Sequence, residues 1–312
     1  MGGSGGFAAG GGDASPRDRI SMKIGVFSDR DRIFIGGVFN DQVFDFSAAS
    51  LQLEKEALPD LGTIFRQERF DSKLFHHLFM IGQYRQEFWH PLGFLSFVPL
   101  YRPDKIICLG LNYSEHARET AIDLPKEPIY FVKANSAVIA HEQPMIYPDG
   151  LGRIDPEAEL AVIIGRRAKE VTEEEAAAYI GGYTILNDVT ARDLQAKDIQ
   201  NKHPWFRSKS LDTFCPIGPW IVTANEILPN EPLKLSLSVN GEVRQNSSTK
   251  YLVFKIPSLI STISALMVLE PGDVISTGTP EGIAPIYPGD VVEIEVEKIG
   301  ILRNRVEKKK VS

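Results

Sequence analysis

Two cysteines in 312 residues, Cys108 and Cys215, are too few for a disulfide framework and show no C-x-x-C spacing, which excludes dithiol redox and zinc-ribbon chemistry. A reducing cytoplasm is the expected setting. No apolar run approaches the roughly 20 residues needed to cross a bilayer, and the start lacks the charged and apolar regions of a signal peptide, so neither a membrane partner nor export is expected. Positive charge is also scarce: 34 Lys and Arg against 41 Asp and Glu leave a net charge of -7. With only the tail Glu307 to Lys310 basic, and that run read as a solvated terminus, no nucleic-acid partner is expected. There is no P-loop and no H-E-x-x-H. The one G-x-S-x-G match, Gly2 to Gly6, lies in a Gly, Ala and Ser-rich start without the strand-turn-helix context of a nucleophile elbow. Regular strand and helix alternation and repeats of solenoid length are missing too, which excludes a doubly wound nucleotide fold and a repeat protein.

What is present is an ordinary globular composition, 43% hydrophobic and 24% charged. Residues 1–21 read as a flexible tag or tail with little to bury, and 22–100 as a small accessory domain. In that domain Met22 to Phe27, Arg32 to Phe39 and Gln42 to Phe46 read as strands, followed by a helix around Phe70 to Met80. The prolines Pro91, Pro99 and Pro103 bracket a connection, and 101–312 form the expected main domain, opening with a strand from Lys105 to Leu111. Asn240-Gly241 between two short strands signals a tight hairpin, and Val292, Ile294 and Val296 alternate with glutamates as a half-buried strand. Thr172 with Glu175 predicts a capped helix start, and Pro257 opens another helix with Leu259, Ile260, Ile263 and Leu266 on one face. The expected class is α+β, mainly β.

Three segments carry chemistry. In Asp155-Pro156-Glu157-Ala158-Glu159-Leu160 the strand period of two puts Glu157 and Glu159 on the same side, a few ångströms apart. Such a pair is tolerated when solvated at a strand edge, when one carboxylate is protonated, or when a cation neutralises both. All three remain open from these residues alone. The second segment, Gly181 to Asp188, is an apolar strand ending in an acid that fits a site or a helix cap. Behind it Arg192 and Gln195 stand at helical spacing, able to bind an anion or simply to face solvent. In the third, His116 and Glu119 stand three apart, as a base and its orienter or as a surface pair. Lys209 offers a fixed positive charge where an enolate or carboxylate develops, and the turn Thr277-Gly278-Thr279-Pro280 offers hydroxyls and backbone N–H groups to an anion. A surface lysine and a tight turn explain those two equally well.

Taken in order, these segments resemble the fumarylacetoacetate hydrolase family. The matched stretches are Ile107 to Tyr113 with His116, Glu157-Ala158-Glu159-Leu160, Asn187 to Gln195, Lys209-Ser210, Pro216 to Pro219 and Thr277 to Pro280. Pro156 departs from the pattern, since many relatives carry an aromatic residue there. The resemblance implies a mixed β-sandwich roll, usually a homodimer, with Mg2+ or Mn2+ held by Glu157, Glu159 and Asp188. It places His116 and Glu119 on a lid that orders with ligand, and Lys209 and Gln195 in the pocket, while Arg192, Gln195 and Thr279 are the expected substrate contacts. The implied substrate is a small 2-oxo or 2,4-dioxo acid. Hydrolytic carbon-carbon cleavage of an acylpyruvate is the first expectation, with oxaloacetate decarboxylation and hydroxymuconate isomerisation or decarboxylation as alternatives. A rival of another class is a non-catalytic protein that keeps the metal for stability or binds a small acid.

Overall fold

The apolar run after Glu159 fixes the centre of the molecule. In the computed structural model, which describes residues 22–114 and 125–309, the strand Ala158–Ile164 is buried at all seven positions. Its neighbour Ile180–Asn187 is buried at all eight. Strands without a polar face must be covered on both sides. They accordingly lie in the middle of a twelve-stranded sheet. Its path runs Trp89–Pro91, Gln42–Asp45, Arg32–Phe39, Lys23–Asp29, Cys215–Thr223, Ile180–Asn187, Ala158–Ile164, Val274–Ser276, Ile106–Gly110 and Ile129–Val132. Along this path Val274–Ser276 and Ile106–Gly110 pair parallel, and the other neighbours pair antiparallel.

Alternation along Ala158–Ile164 divides the interior in two. Leu160, Val162 and Ile164 enter a core shared with the inner face of a smaller, five-stranded sheet. That sheet orders Glu242–Ser248, Lys234–Val239, Val291–Val296, Gly300–Lys308 and Met145–Tyr147, and it supplies Leu235, Leu237, Val292 and Ile294 to the core. Ala161 and Ile163 face the other way, into a core built from Phe44, Phe46, Phe65, Phe75, Phe79 and Phe88. The residues before Leu100, read from sequence as an accessory domain, therefore extend the large sheet by four strands of its path and cover its second face with aromatic rings. Each such ring, fully buried, contributes about 1.5–3 kcal/mol.

Local signals act where they stand alone. Asn240 and Gly241 take positive φ values of 52° and 81° and turn the hairpin Lys234–Val239 to Glu242–Ser248. The helix Ser72–Gly82 buries Phe75, Leu78 and Phe79. Two expectations fail at their ends. In the helix Ile256–Leu266, Leu259, Ile260 and Ile263 are buried, but Leu266 is 66% exposed because it is the last helical residue and the chain is extended at Met267. Glu175 accepts from the Thr172 N–H at 3.3 Å, which is one half of a capping box, and from the Thr172 hydroxyl at 3.2 Å. Only a four-residue 3₁₀ turn, Ala176–Tyr179, follows, because the chain must be extended by Ile180 to enter the sheet. Among the described residues no helix is long and apolar enough to cross a membrane.

Candidate active site

Strand register assembles the three acids. Ala158 pairs with Asn187 and Glu159 with Leu186, so the residue after the second strand, Asp188, falls opposite Glu157. The Asp188 N–H donates to the Glu157 carbonyl at 3.0 Å, and the Asn187 side chain accepts from the Glu157 N–H at 3.0 Å. Beneath them the short strands Ile154–Asp155 and Thr190–Ala191 pair and hold both segments together. One carboxylate oxygen from each of Glu157, Glu159 and Asp188 lies within 4.8 Å of the others. All three side chains are buried, at 5%, 1% and 0% exposure. A solvated strand edge is thereby excluded, as is a helix cap for Asp188.

Cations meet this charge unevenly. Lys209, itself buried, donates to Glu157 at 2.8 Å and to Asp188 at 2.5 Å. Lys133, equally buried, donates to the other Asp188 oxygen at 2.6 Å and to the Val189 carbonyl at 3.2 Å. Arg192 bonds Glu157, and its Nε donates to Asp155 at 2.8 Å. Glu159 is treated differently: its Oε2 accepts from the Ser276 hydroxyl at 2.5 Å and the Gly278 N–H at 2.8 Å, and no lysine or arginine among the described residues forms an ion pair with it.

The proton affinities follow. Burial raises that of Glu157, but Lys209 and Arg192 outweigh it and hold the carboxyl well below the usual carboxylate range. Burial, then the negative charges of Asp188 and Glu157, push Glu159 up to about 8. Burial alone would lower Lys209, yet Asp188 and Glu157 keep it above its ordinary value. Glu159 is thus the one member of the triad without an ion pair among the described residues, and its oxygens converge with those of Glu157 and Asp188. Three converging hard oxygens fit a divalent ion of the magnesium or manganese type.

Glu157 and Glu159 form one side of a cavity of about 210 Å3, and Asp188 is tied to its wall through Lys209. Arg192, Gln195, Lys209 and Thr279 line it too, together with Phe131 and Trp205. Arg192 and Gln195 sit in the first turns of the helix Arg192–Gln200, and the Arg192 guanidinium donates to the Gln195 side-chain oxygen at 2.7 Å. The Thr279 hydroxyl accepts from the Gln245 amide at 2.9 Å, and Gln245 in turn accepts from the Ala158 N–H at 2.9 Å. Six of the nine site residues expected from sequence thus line one cavity, and a seventh, Asp188, bonds Lys209 in its wall. The other two, His116 and Glu119, lie outside the described residues.

Comparison with known proteins places this geometry. A family model for the fumarylacetoacetate (FAA) hydrolase C-terminal domain matches residues 105–307. The chain belongs to the fumarylacetoacetate hydrolase family. Within it, a mitochondrial oxaloacetate tautomerase of Bos taurus, FAHD2A, is 42% identical over 215 residues, 67% of this chain and 68% of that protein. Among solved structures, the 5-carboxymethyl-2-hydroxymuconate delta-isomerase of Mycobacterium smegmatis is similar at 36% identity and a TM-score of 0.72, covering 93% of this chain and 100% of that one. The maleylpyruvate hydrolase of Sphingobium sp. SYK-6, solved with manganese(II) and pyruvate, is similar at 30% identity and a TM-score of 0.74 with the same coverage. The family therefore spans hydrolases, isomerases and tautomerases on one fold.

Sequence reasoning missed two residues that hold the acidic cluster and its cations in this chain. Lys133 follows the short strand Ile129–Val132 at the edge of the large sheet, where a lysine reads as a solvated edge residue. No spacing in the sequence links it to Asp188, which is 55 residues away. Asp155 was within reach: it is the third acid of Asp155-Pro156-Glu157-Ala158-Glu159, and it anchors both Arg192 and Arg153, the latter at 2.7 Å.

Proposed function

We propose that this chain is a divalent-metal-dependent enzyme that stabilises the enolate of a small 2-oxo acid and interconverts the keto and enol forms of a four-carbon member, oxaloacetate. The observation that carries the reading is Glu159, buried to 1% without an ion pair among the described residues, converging with Glu157 and Asp188 at the wall of a cavity that also presents two cations, an amide and a hydroxyl. Mg2+ or Mn2+, when bound by these three carboxylates, supplies Lewis-acid stabilisation of the negative charge that develops on the 2-oxo oxygen. The chain's own residues do the remaining work. Lys209 and Lys133 hold Glu157 and Asp188 in place so that their free lone pairs converge. Arg192 and Gln195 offer charged and neutral donors to the carboxylates of a diacid, and Thr279 adds a hydroxyl. The pair His116 and Glu119 is assigned proton transfer at carbon 3 from the family resemblance. Formation of the enol is the step common to a tautomerase, a double-bond isomerase and a hydrolase that releases pyruvate, and the named tautomerase relative is the most identical of the three reported.

A second reading, hydrolysis of an acylpyruvate, draws on the maleylpyruvate hydrolase and needs a water activated by His116 and Glu119 in place of simple proton shuttling. One assay separates them. Protein loaded with Mn2+ is given oxaloacetate or acylpyruvates while enol absorbance is followed and pyruvate is measured. Faster keto–enol equilibration without pyruvate release, abolished by EDTA, is expected. Pyruvate with carbon dioxide from oxaloacetate would make the chain a decarboxylase, and acid release from an acylpyruvate a hydrolase. No metal-stimulated change on any substrate would leave a non-catalytic binder.

A further inference from the structure

The reaction cavity shares a wall with a second one. Phe131 and Trp205 line both, and behind them opens a cavity of about 440 Å3 walled by Ile107, Ile129, Val132 and Met267. The partition is a pair of rings with centroids 5.6 Å apart and planes at 59°. Each ring is seated. The Lys209 ammonium lies 4.8 Å from the centre of Phe131, close enough for a cation–π attraction that ties the ring to the acidic cluster. Trp205 rests on the strand Ile106–Gly110, where a Cβ on Gly110 would stand 2.9 Å from the indole Cζ3. Glycine there is what lets the indole lie against the backbone.

The two cavities differ in chemistry. The first carries Glu157, Glu159, Arg192 and Lys209 and is small, suited to an ion and a short polar acid. The second offers mainly apolar side chains, with Lys105 and His203 among its walls. We infer that Trp205, backed by Phe131, sets the upper size limit of the substrate: the indole refuses 2-oxo acids bearing a bulky apolar group, although apolar room for that group exists directly behind it. The inference rests on the 2-oxo-acid reading above and deepens it to short, polar members of that class.

The test reads binding rather than turnover. Dissociation constants of pyruvate and phenylpyruvate are measured by calorimetry on the Mn2+-loaded protein, for the wild type, Trp205→Leu and Trp205→Ala, each checked for folding by thermal melting. The ratio of the phenylpyruvate to the pyruvate constant falls by about tenfold or more in Trp205→Ala, the scale on which apolar pockets discriminate, and by less in Trp205→Leu. Adding Val132→Trp, which fills the second cavity, reverses the fall. General loosening of the site would not be reversed by a ring placed behind the wall. An unchanged ratio in both Trp205 variants, or a fall that Val132→Trp leaves in place, overturns the inference while the 2-oxo-acid reading stands. Failure of every form to bind either acid would remove that reading and this inference together.

Discussion

Lys133 is the sharpest test of how the acidic cluster is held. Its side chain is 0% exposed, and its ammonium donates to Asp188 and to the Val189 carbonyl. Lys133→Met keeps the length of the stem and removes the charge, leaving a carboxylate oxygen and a carbonyl without a donor in the interior. Removing one partner of a buried pair costs about 3–5 kcal/mol. Asp188 still has Lys209 at 2.5 Å, which puts this case at the lower end. At about 2–4 °C per kcal/mol for chains of comparable size, a loss of about 3 kcal/mol lowers Tm by roughly 6–12 °C in EDTA. Divalent ions should then restore more stability to the variant than they add to the wild type, because the acids have lost one of the charges that compete with the ion. An ion at 100 times its Kd adds about 2.7 kcal/mol. Melting curves in EDTA and across a Mn2+ titration decide it. A variant within about 2 °C of the wild type in EDTA would show that Lys133 does not hold Asp188. A Mn2+ shift no larger than the wild type's would place the ion elsewhere.

Other expectations concern single side chains. Glu159→Gln replaces a carboxyl whose proton is held by burial and by its acidic neighbours with a neutral group of the same shape. In EDTA at neutral pH its Tm should equal or exceed the wild type's, while the Mn2+-induced shift is lost; a retained shift would remove Glu159 from the ligand set. His141 governs acid stability. Its side chain is 13% exposed, its Nδ1 accepts from the Arg303 N–H at 2.9 Å, and burial pushes it down to about 4. The unfolded chain takes up this proton near pH 6.5 and the folded chain only near 4, so the contribution is complete above 6.5 and is lost as pH falls through 4. Across that window the loss is up to about 3 kcal/mol, at about 1.4 kcal/mol per pH unit. His141→Asn, which keeps an acceptor near the Nδ1 position and cannot titrate, should flatten this part of the urea-denaturation profile; a slope identical to the wild type's would assign the acid sensitivity to other groups.

The sequence by itself determined the parts whose causes are local. The period-two pattern, the Asn240-Gly241 turn and the apolar runs after Glu157 and before Asp188 set the strands, and strand parity put Glu157 and Glu159 on one side. Motif order was enough to name the family. Strand parity alone left a wet edge and a metal site alike, and only the family resemblance implied the metal. Tertiary structure removed the wet edge by register and burial: pairing Ala158 with Asn187 sets Asp188 opposite Glu157, and covering both faces of the sheet removes the water that would have solvated them. The same holds for Lys133 and for the Phe131–Trp205 partition. Each joins residues tens of positions apart, and a lysine after an edge strand or a tryptophan ahead of a one-turn helix carries no mark of its partner. Residues 22–100 read as a small accessory domain, and in the fold their aromatic rings cover the reverse face of the large sheet, because hydrophobic burial is indifferent to where in the chain the covered surface comes from.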